Sequence, residues 1–118
     1  MESKIDILTM NTLPDIEKEL DSIGVSARGK DIMKEKFIFY VLKINNVDAR
    51  AANILKQTML SQGAEAAVSA GTVNLSVTHT DVIIGATQHQ LRRAAIRLAE
   101  QPWGLKAIGA ELENMFLK

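Results

Sequence analysis

"FIFYVLKI", residues 37–44, carries a single charge, on Lys43, in an otherwise apolar run. Both alternating sets of side chains are apolar: Phe37, Phe39 and Val41 on one, Ile38, Tyr40, Leu42 and Ile44 on the other. A strand of that kind is expected inside a sheet and covered on both faces. The stretch therefore sets the first expectation for the fold, a sheet built around residues 37–44.

Outward from this strand, Asn45 and Asn46 form a turn and Asp48 can cap a helix over 48–62. The buried stripe of that helix is Ala51, Ala52, Leu55 and Met59, and Gly63 ends it. The small Ala51 and Ala52 allow close approach to the sheet. Toward the N-terminus, Thr12 stands three residues before Asp15 with Pro14 in the first turn, and Leu13, Ile16, Leu20 and Ile23 follow at helical steps. These predict a helix over 13–23. The polar "VSARGKD" after it reads as a loop running into a helical turn, and the alternation at 4–10 allows a short strand with Ile5 and Ile7 on one face.

Toward the C-terminus, 64–69 reads as a short strand. "VNLSVTH" alternates Val73, Leu75 and Val77, which predicts a hairpin partner at 73–78. Residues 81–85 continue as a strand into "DVIIGATQHQLRR" (81–93), where Thr87 and Gln90 form a capping pair for a helix over 88–100. Leu91, Ala94, Ala95 and Leu98 give that helix its buried face, with Arg92, Arg93 and Arg97 turned away. Pro102 stops it, "WGL" turns the chain, and a last helix is expected over 105–117. The expected fold is therefore α+β (α/β), one domain over 1–118. It would hold a single mixed sheet of four to five strands packed with helices, in which a βαβ unit is followed by a hairpin.

Composition narrows the function classes. Lys plus Arg and Asp plus Glu are 14 each, so no global field draws the chain to nucleic acid, and aromatic residues at 4% leave few platforms for base stacking. The absence of cysteine removes thiolate nucleophiles, disulfides and zinc–thiolate sites, which suits a reducing, cytoplasmic setting. No apolar run approaches the roughly 20 residues of a spanning helix. Gly-x-Ser-x-Gly, His-Glu-x-x-His and Gly-x-Gly-x-x-Gly are all missing. No catalytic group, metal ligand set or cofactor is expected.

One joint invites a ligand. Gly85 before the helix capped by Thr87, with His89 and Arg92 on its first turns, is a candidate site for a phosphorylated small molecule, since amides and dipole meet there. Against it, one glycine without a Gly-Lys-Ser/Thr run is a weak phosphate loop, and a capping box already uses the amides. His79 and Asp81 share a face but lack a third ligand. The three arginines read as a solvated face. Phe37, Trp103 and Met115 are the candidates for residual apolar surface at an interface.

"FYVLKINNVDARAANILKQTMLSQGAEAAVSAG" (39–71) and "TDVIIGATQHQLRRAAIRLAEQPWGLKAIGAEL" (80–112) together carry a resemblance. In order, "AANILKQ", "MLSQGAEAAV", "TDVIIGAT" and "QPWGL" resemble the extra N-terminal region that precedes the barrel in dihydropteroate synthase-like proteins of clostridial and archaeal type. The family's activity joins a pterin diphosphate to p-aminobenzoate on a TIM-type barrel, which needs on the order of 200 residues or more. This chain has 118. The family's pterin- and diphosphate-binding motifs have no counterpart here, so the resemblance transfers no catalytic residue. It implies an accessory or interaction domain that self-associates as a homo-oligomer or docks on a separate dihydropteroate synthase-like barrel. The alternative is a binding protein for a pterin diphosphate at residues 85–92.

Overall fold

A computed structural model describes residues 3–116. In chain order it contains α1 (Leu13–Ser22), α2 (Ala27–Met33), a 3-10 turn (Lys34–Lys36), β1 (Phe39–Asp48), α3 (Ala49–Ser61), β2 (Glu65–Ala67), β3 (His79–Thr87), α4 (Gln88–Leu98) and α5 (Leu105–Asn114). The fold is α+β: helices cover one face of a three-stranded sheet of order β1-β3-β2.

The helices begin where their caps place them. Thr12 Oγ1 accepts from the Asp15 amide and Asp15 Oδ2 from the Thr12 amide, a reciprocal box at the start of α1. Asp48 Oδ1 accepts from the Arg50 amide at 2.8 Å and starts α3. The same box recurs at α4 between Thr87 and Gln90. The loop expected over "VSARGKD" (25–31) and the helical turn after it are instead α2 and the 3-10 turn, begun by Ser26, whose hydroxyl accepts from the Gly29 amide.

The sheet departs from expectation in several ways. Both neighbouring pairs are antiparallel, so it is not mixed, and it has three strands among the described residues rather than four or five. A β-α-β connection is present, because β1 and β2 run the same way and α3 joins them. Its two strands do not touch, since β3 lies between them. The strand expected at 73–78 is a run of turns. Leu75 takes a positive φ of 60°, Ser76 and Val77 donate their amides to the Gly71 carbonyl, and the Asn74 side chain accepts from the Ser76 amide. Local Asn and Gly hydrogen bonding outcompetes a ladder there, despite the alternation of Val73, Leu75 and Val77. The strand expected at 64–69 shrinks to Glu65–Ala67, and that at 81–85 grows to His79–Thr87.

Residues 4–10 form no strand: the segment has no regular secondary structure and pairs with nothing among the described residues. The central expectation for 37–44 also fails. β1 is an edge strand with one face bare, because the helices cover the sheet from one side only. Part of the helix expected over 105–117 lies at residue 117, outside the described residues.

The core lies between the helices and the covered face. Val82, Ile84 and Ala86 of β3 and Ala66 of β2 meet Ala51, Ala52, Leu55 and Met59 of α3 and Leu91, Ala94, Ala95 and Leu98 of α4. Complete burial of a side chain such as Leu55 or Leu98 is worth about 1.5–3 kcal/mol. A second cluster of Ile16, Leu20 and Ile38, with Met10 and Tyr40 against it, holds α1 to the start of β1. Gly109 of α5 sets the helix spacing: a Cβ there would lie 3.0 Å from both the Ala95 carbonyl oxygen and Leu98 Cβ. Only hydrogen fits between α4 and α5 at that point.

Candidate functional site

Burial along β3 alternates strictly, with Thr80, Val82, Ile84 and Ala86 turned to the helices and His79, Asp81, Ile83, Gly85 and Thr87 turned away. Antiparallel register then fixes the neighbours on the outward face. Phe39 lies opposite Thr87, Val41 opposite Gly85, and Lys43 opposite Ile83, while β2 sets Glu65 beside Gly85 and Ala67 beside Ile83. No helix of the described residues covers this face. Phe39 is 61% exposed, Val41 71% and Ile83 46%. Contiguous apolar surface on a sheet is a place where another surface is expected, unlike single exposed side chains scattered over a protein.

Gly85 takes its role from this face. A Cβ at Gly85 would sit 3.1 Å from Phe39 Cζ, so the aromatic ring leans diagonally across the strand pair and covers the glycine. Polar groups occupy the other end. Lys43 Nζ is 3.8 Å from Asp81 Oδ2, and Asp81 Oδ1 accepts from the Asn46 amide at 2.9 Å, where Asn46 (φ 55°) lies in the bulge that shifts the register before pairing resumes at Val47 and Thr80. The face thus has an apolar centre and a charged border.

The structure gives the four residues expected to gather a phosphorylated ligand different surroundings. Gly85 lies within β3 beneath Phe39 rather than at the strand–helix joint. Thr87 and Gln90 satisfy each other's amides, and Gln90 Nε2 donates to the Gln62 carbonyl at 3.1 Å. His89 is half-buried on the first turn of α4. Arg92 turns elsewhere: its Nε stands 2.9 Å from Glu35 Oε1, an ion pair off the hydrogen-bond line, and a terminal nitrogen donates to the Phe116 carbonyl at 3.2 Å. It ties the 3-10 turn to the end of α5. Arg93 donates to the Gln62 side chain, and Arg97 borders an open polar groove of about 540 Å³ between α3 and α4 with Asn53, Thr58 and Glu100.

The three residues expected at an interface are exposed but dispersed. Phe37 lies just before β1. Trp103 has the Arg50 guanidinium 4.9 Å from its ring centroid, and Met115 borders a groove with Leu42, Ile44, Ile108 and Leu112. Asp48 holds Arg50 in place through two side-chain hydrogen bonds of 3.1 and 2.9 Å, and these bonds keep the Asp48 carboxyl well below the usual carboxylate range. His79 contacts Thr78 rather than a metal ligand set, and no cluster of His, Asp and Glu suited to a metal occurs among the described residues. No helix among them is long and apolar enough to cross a membrane.

Sequence reasoning missed the residues that make the open face. Phe39 and Val41 are expected in a strand covered on both faces and Ile83 simply in a strand over 81–85, because apolar runs carry no mark of which side stays bare. The signal that was available is Gly85 in the middle of an apolar strand, a position that often marks a close cross-strand neighbour.

Comparison with known proteins gives two relatives. The chain is 34% identical over 105 residues to the probable bifunctional folylpolyglutamate synthase/dihydropteroate synthase of Halobacterium salinarum, a match covering 89% of this chain and 13% of that protein. It is 29% identical over 99 residues to the bifunctional dihydropteroate synthase/dihydropteroate reductase of Helicobacter pylori, covering 84% of this chain and 26% of that protein. The chain spans about an eighth and about a quarter of the length of these relatives. No family model and no solved structure matches. The chain is thus similar to a part of two bifunctional enzymes whose names share dihydropteroate synthase.

Proposed function

We propose that this chain is a non-catalytic accessory module of a dihydropteroate synthase system that docks on a dihydropteroate synthase-like barrel through the open face of its sheet. The observation that carries the reading is the bare apolar centre formed by Phe39, Val41 and Ile83 on a sheet whose other face carries the helices and the core. In both relatives the matching stretch is a minor part of a longer protein, and the activity common to their names is the synthase. A partner domain is the natural cover for a face that one layer of helices leaves open. The Lys43–Asp81 pair and Glu65 at the border supply orientation rather than the bulk of the affinity.

Titration of the chain into a purified dihydropteroate synthase-like barrel protein from the same source, followed by calorimetry, tests this reading. Saturable binding that Ile83→Asp weakens at least tenfold supports it. Absence of heat at both about 15 and about 35 °C with both proteins at about 100 μM, where the heat-capacity change of apolar burial rules out a vanishing enthalpy at both temperatures, overturns it.

A further inference from the structure

We infer that residues 4–8 of one copy add as a fourth strand to the free edge of β1 in a second copy, forming a reciprocal arm-exchanged dimer. This inference does not rest on the docking reading, because it uses the edge of the sheet rather than its face.

The edge is competent to receive a strand. Gln88 N–H donates to the Ile38 carbonyl at 3.0 Å, one pair beyond Phe39 and Thr87. Antiparallel alternation therefore leaves the N–H and C=O groups of Phe39, Val41 and Lys43 pointing away from β3, where no strand of the described residues meets them. The bulge at Asn45 and Asn46 limits the regular edge to 39–44. On the helix side this edge opens into a groove of about 300 Å³ between β1 and α5, lined by Leu42, Ile44, Ile108, Leu112 and Met115.

The arm is competent to fill it. Ile5 is 94% exposed and Ile7 95%, in a segment without regular secondary structure and with no partner among the described residues. The chain measures 58 × 30 × 20 Å with a radius of gyration of 17.0 Å. A compact domain of this length has about 13.5 Å. The arm projects from its own body, and residues 3–11 reach roughly 30 Å when extended. Met10 stays half-buried against the Ile16–Leu20–Ile38 cluster, so the exchange begins after it.

Antiparallel pairing with Asp6 opposite Lys43 satisfies both faces together. It sets Leu8 opposite Val41 on the open face, and Ile5 and Ile7 opposite Ile44 and Leu42 on the groove side. Lys43 is held only loosely by Asp81, at 3.8 Å, and can take the second carboxylate. Exchange of an element between identical chains needs no new surface, only a partner's copy of the same edge.

The chain has no cysteine, so engineered pairs report without background. Light scattering on the wild type is expected to give twice 13.0 kDa. Mixing Asp6→Cys with Lys43→Cys under mild oxidation is expected to give a disulfide-linked dimer joined at 6 and 43, beyond the dimer formed by either variant alone. The double variant is expected to link between chains. Both positions are exposed, so folding is preserved. A monomer by light scattering, a link within one chain of the double variant, or no link above the single-variant controls overturns the inference. A monomer that still binds the barrel overturns it and leaves the docking reading intact.

Discussion

Phe39 lies across Gly85: its Cζ is 3.1 Å from where a Cβ on that glycine would stand, and this ring-over-glycine contact crosses the middle of the β1–β3 pair on the open face. The two residues are not directly opposite, so the contact is diagonal, and it depends on the missing side chain. Phe39→Ala is expected to cost about 0.5–1 kcal/mol, the size of a good cross-strand pair. In a Gly85→Ala background the same change is expected to cost less than half as much, because the ring has already been displaced. Urea unfolding of the four variants measures this coupling directly.

Gly109→Ala sets helix propensity against packing. Alanine gains up to about 1 kcal/mol in a helix interior, but the new methyl would meet the Ala95 carbonyl oxygen and Leu98 Cβ at 3.0 Å. Neither neighbour is the free end of a flexible side chain, so α4 and α5 must separate. A net loss of about 1–2 kcal/mol is expected in thermal or urea unfolding.

Much of the helical layer was legible in the sequence because each of its signals is local. Thr12 with Asp15, Asp48, and Thr87 with Gln90 declare their caps within four residues, and the stripes from Ala51 to Met59 and from Leu91 to Leu98 follow a single period. The sheet was less legible because its decisive facts are not local. Nothing within 37–44 tells that β3 inserts between β1 and β2, which places β1 at an edge and bares Phe39 and Val41. The alternation at 73–78 follows the strand pattern, yet Asn74 and Gly71 offer the backbone nearer partners. At the ligand candidate, Thr87 behaves as its motif reads, whereas Arg92 is claimed by Glu35 and the Phe116 carbonyl, contacts across 57 and 24 positions of sequence.

Asp48 gives a pH dependence of known sign. Its hydrogen bonds with Arg50 depress the carboxyl in the folded chain below the ordinary value near 3.9, so their contribution to stability is present above that value and is lost as pH falls through the depressed one. Asp48→Asn keeps a cap but removes the charge. The stability gap between wild type and Asp48→Asn is expected to be constant from pH 7 to about 5 and to close progressively below about 4. Denaturant midpoints across that range check it.

Thr87→Ala removes one half of the box at the start of α4 and leaves the Gln90 amide without its Oγ1 acceptor. A loss of about 1 kcal/mol is expected, with the folded structure retained by circular dichroism.

Val41→Asp tests the open face against the core. Because Val41 is largely exposed and turned away from the helices, the substitution is expected to cost no more than the span of strand propensity, about 1 kcal/mol. Binding to the barrel is expected to fall at least tenfold. A folded variant with a small drop in thermal midpoint and a large drop in affinity would separate the two effects.

The most direct measurement of the docking claim is a methyl NMR titration of the labelled chain with a purified dihydropteroate synthase-like barrel protein. The account predicts that the Val41 and Ile83 methyls, on the open face, shift or broaden at the start of the titration while Ile54, beside the α3–α4 groove, stays in place. Perturbation centred on Ile54 with Val41 and Ile83 unchanged, or no perturbation at all, would contradict it.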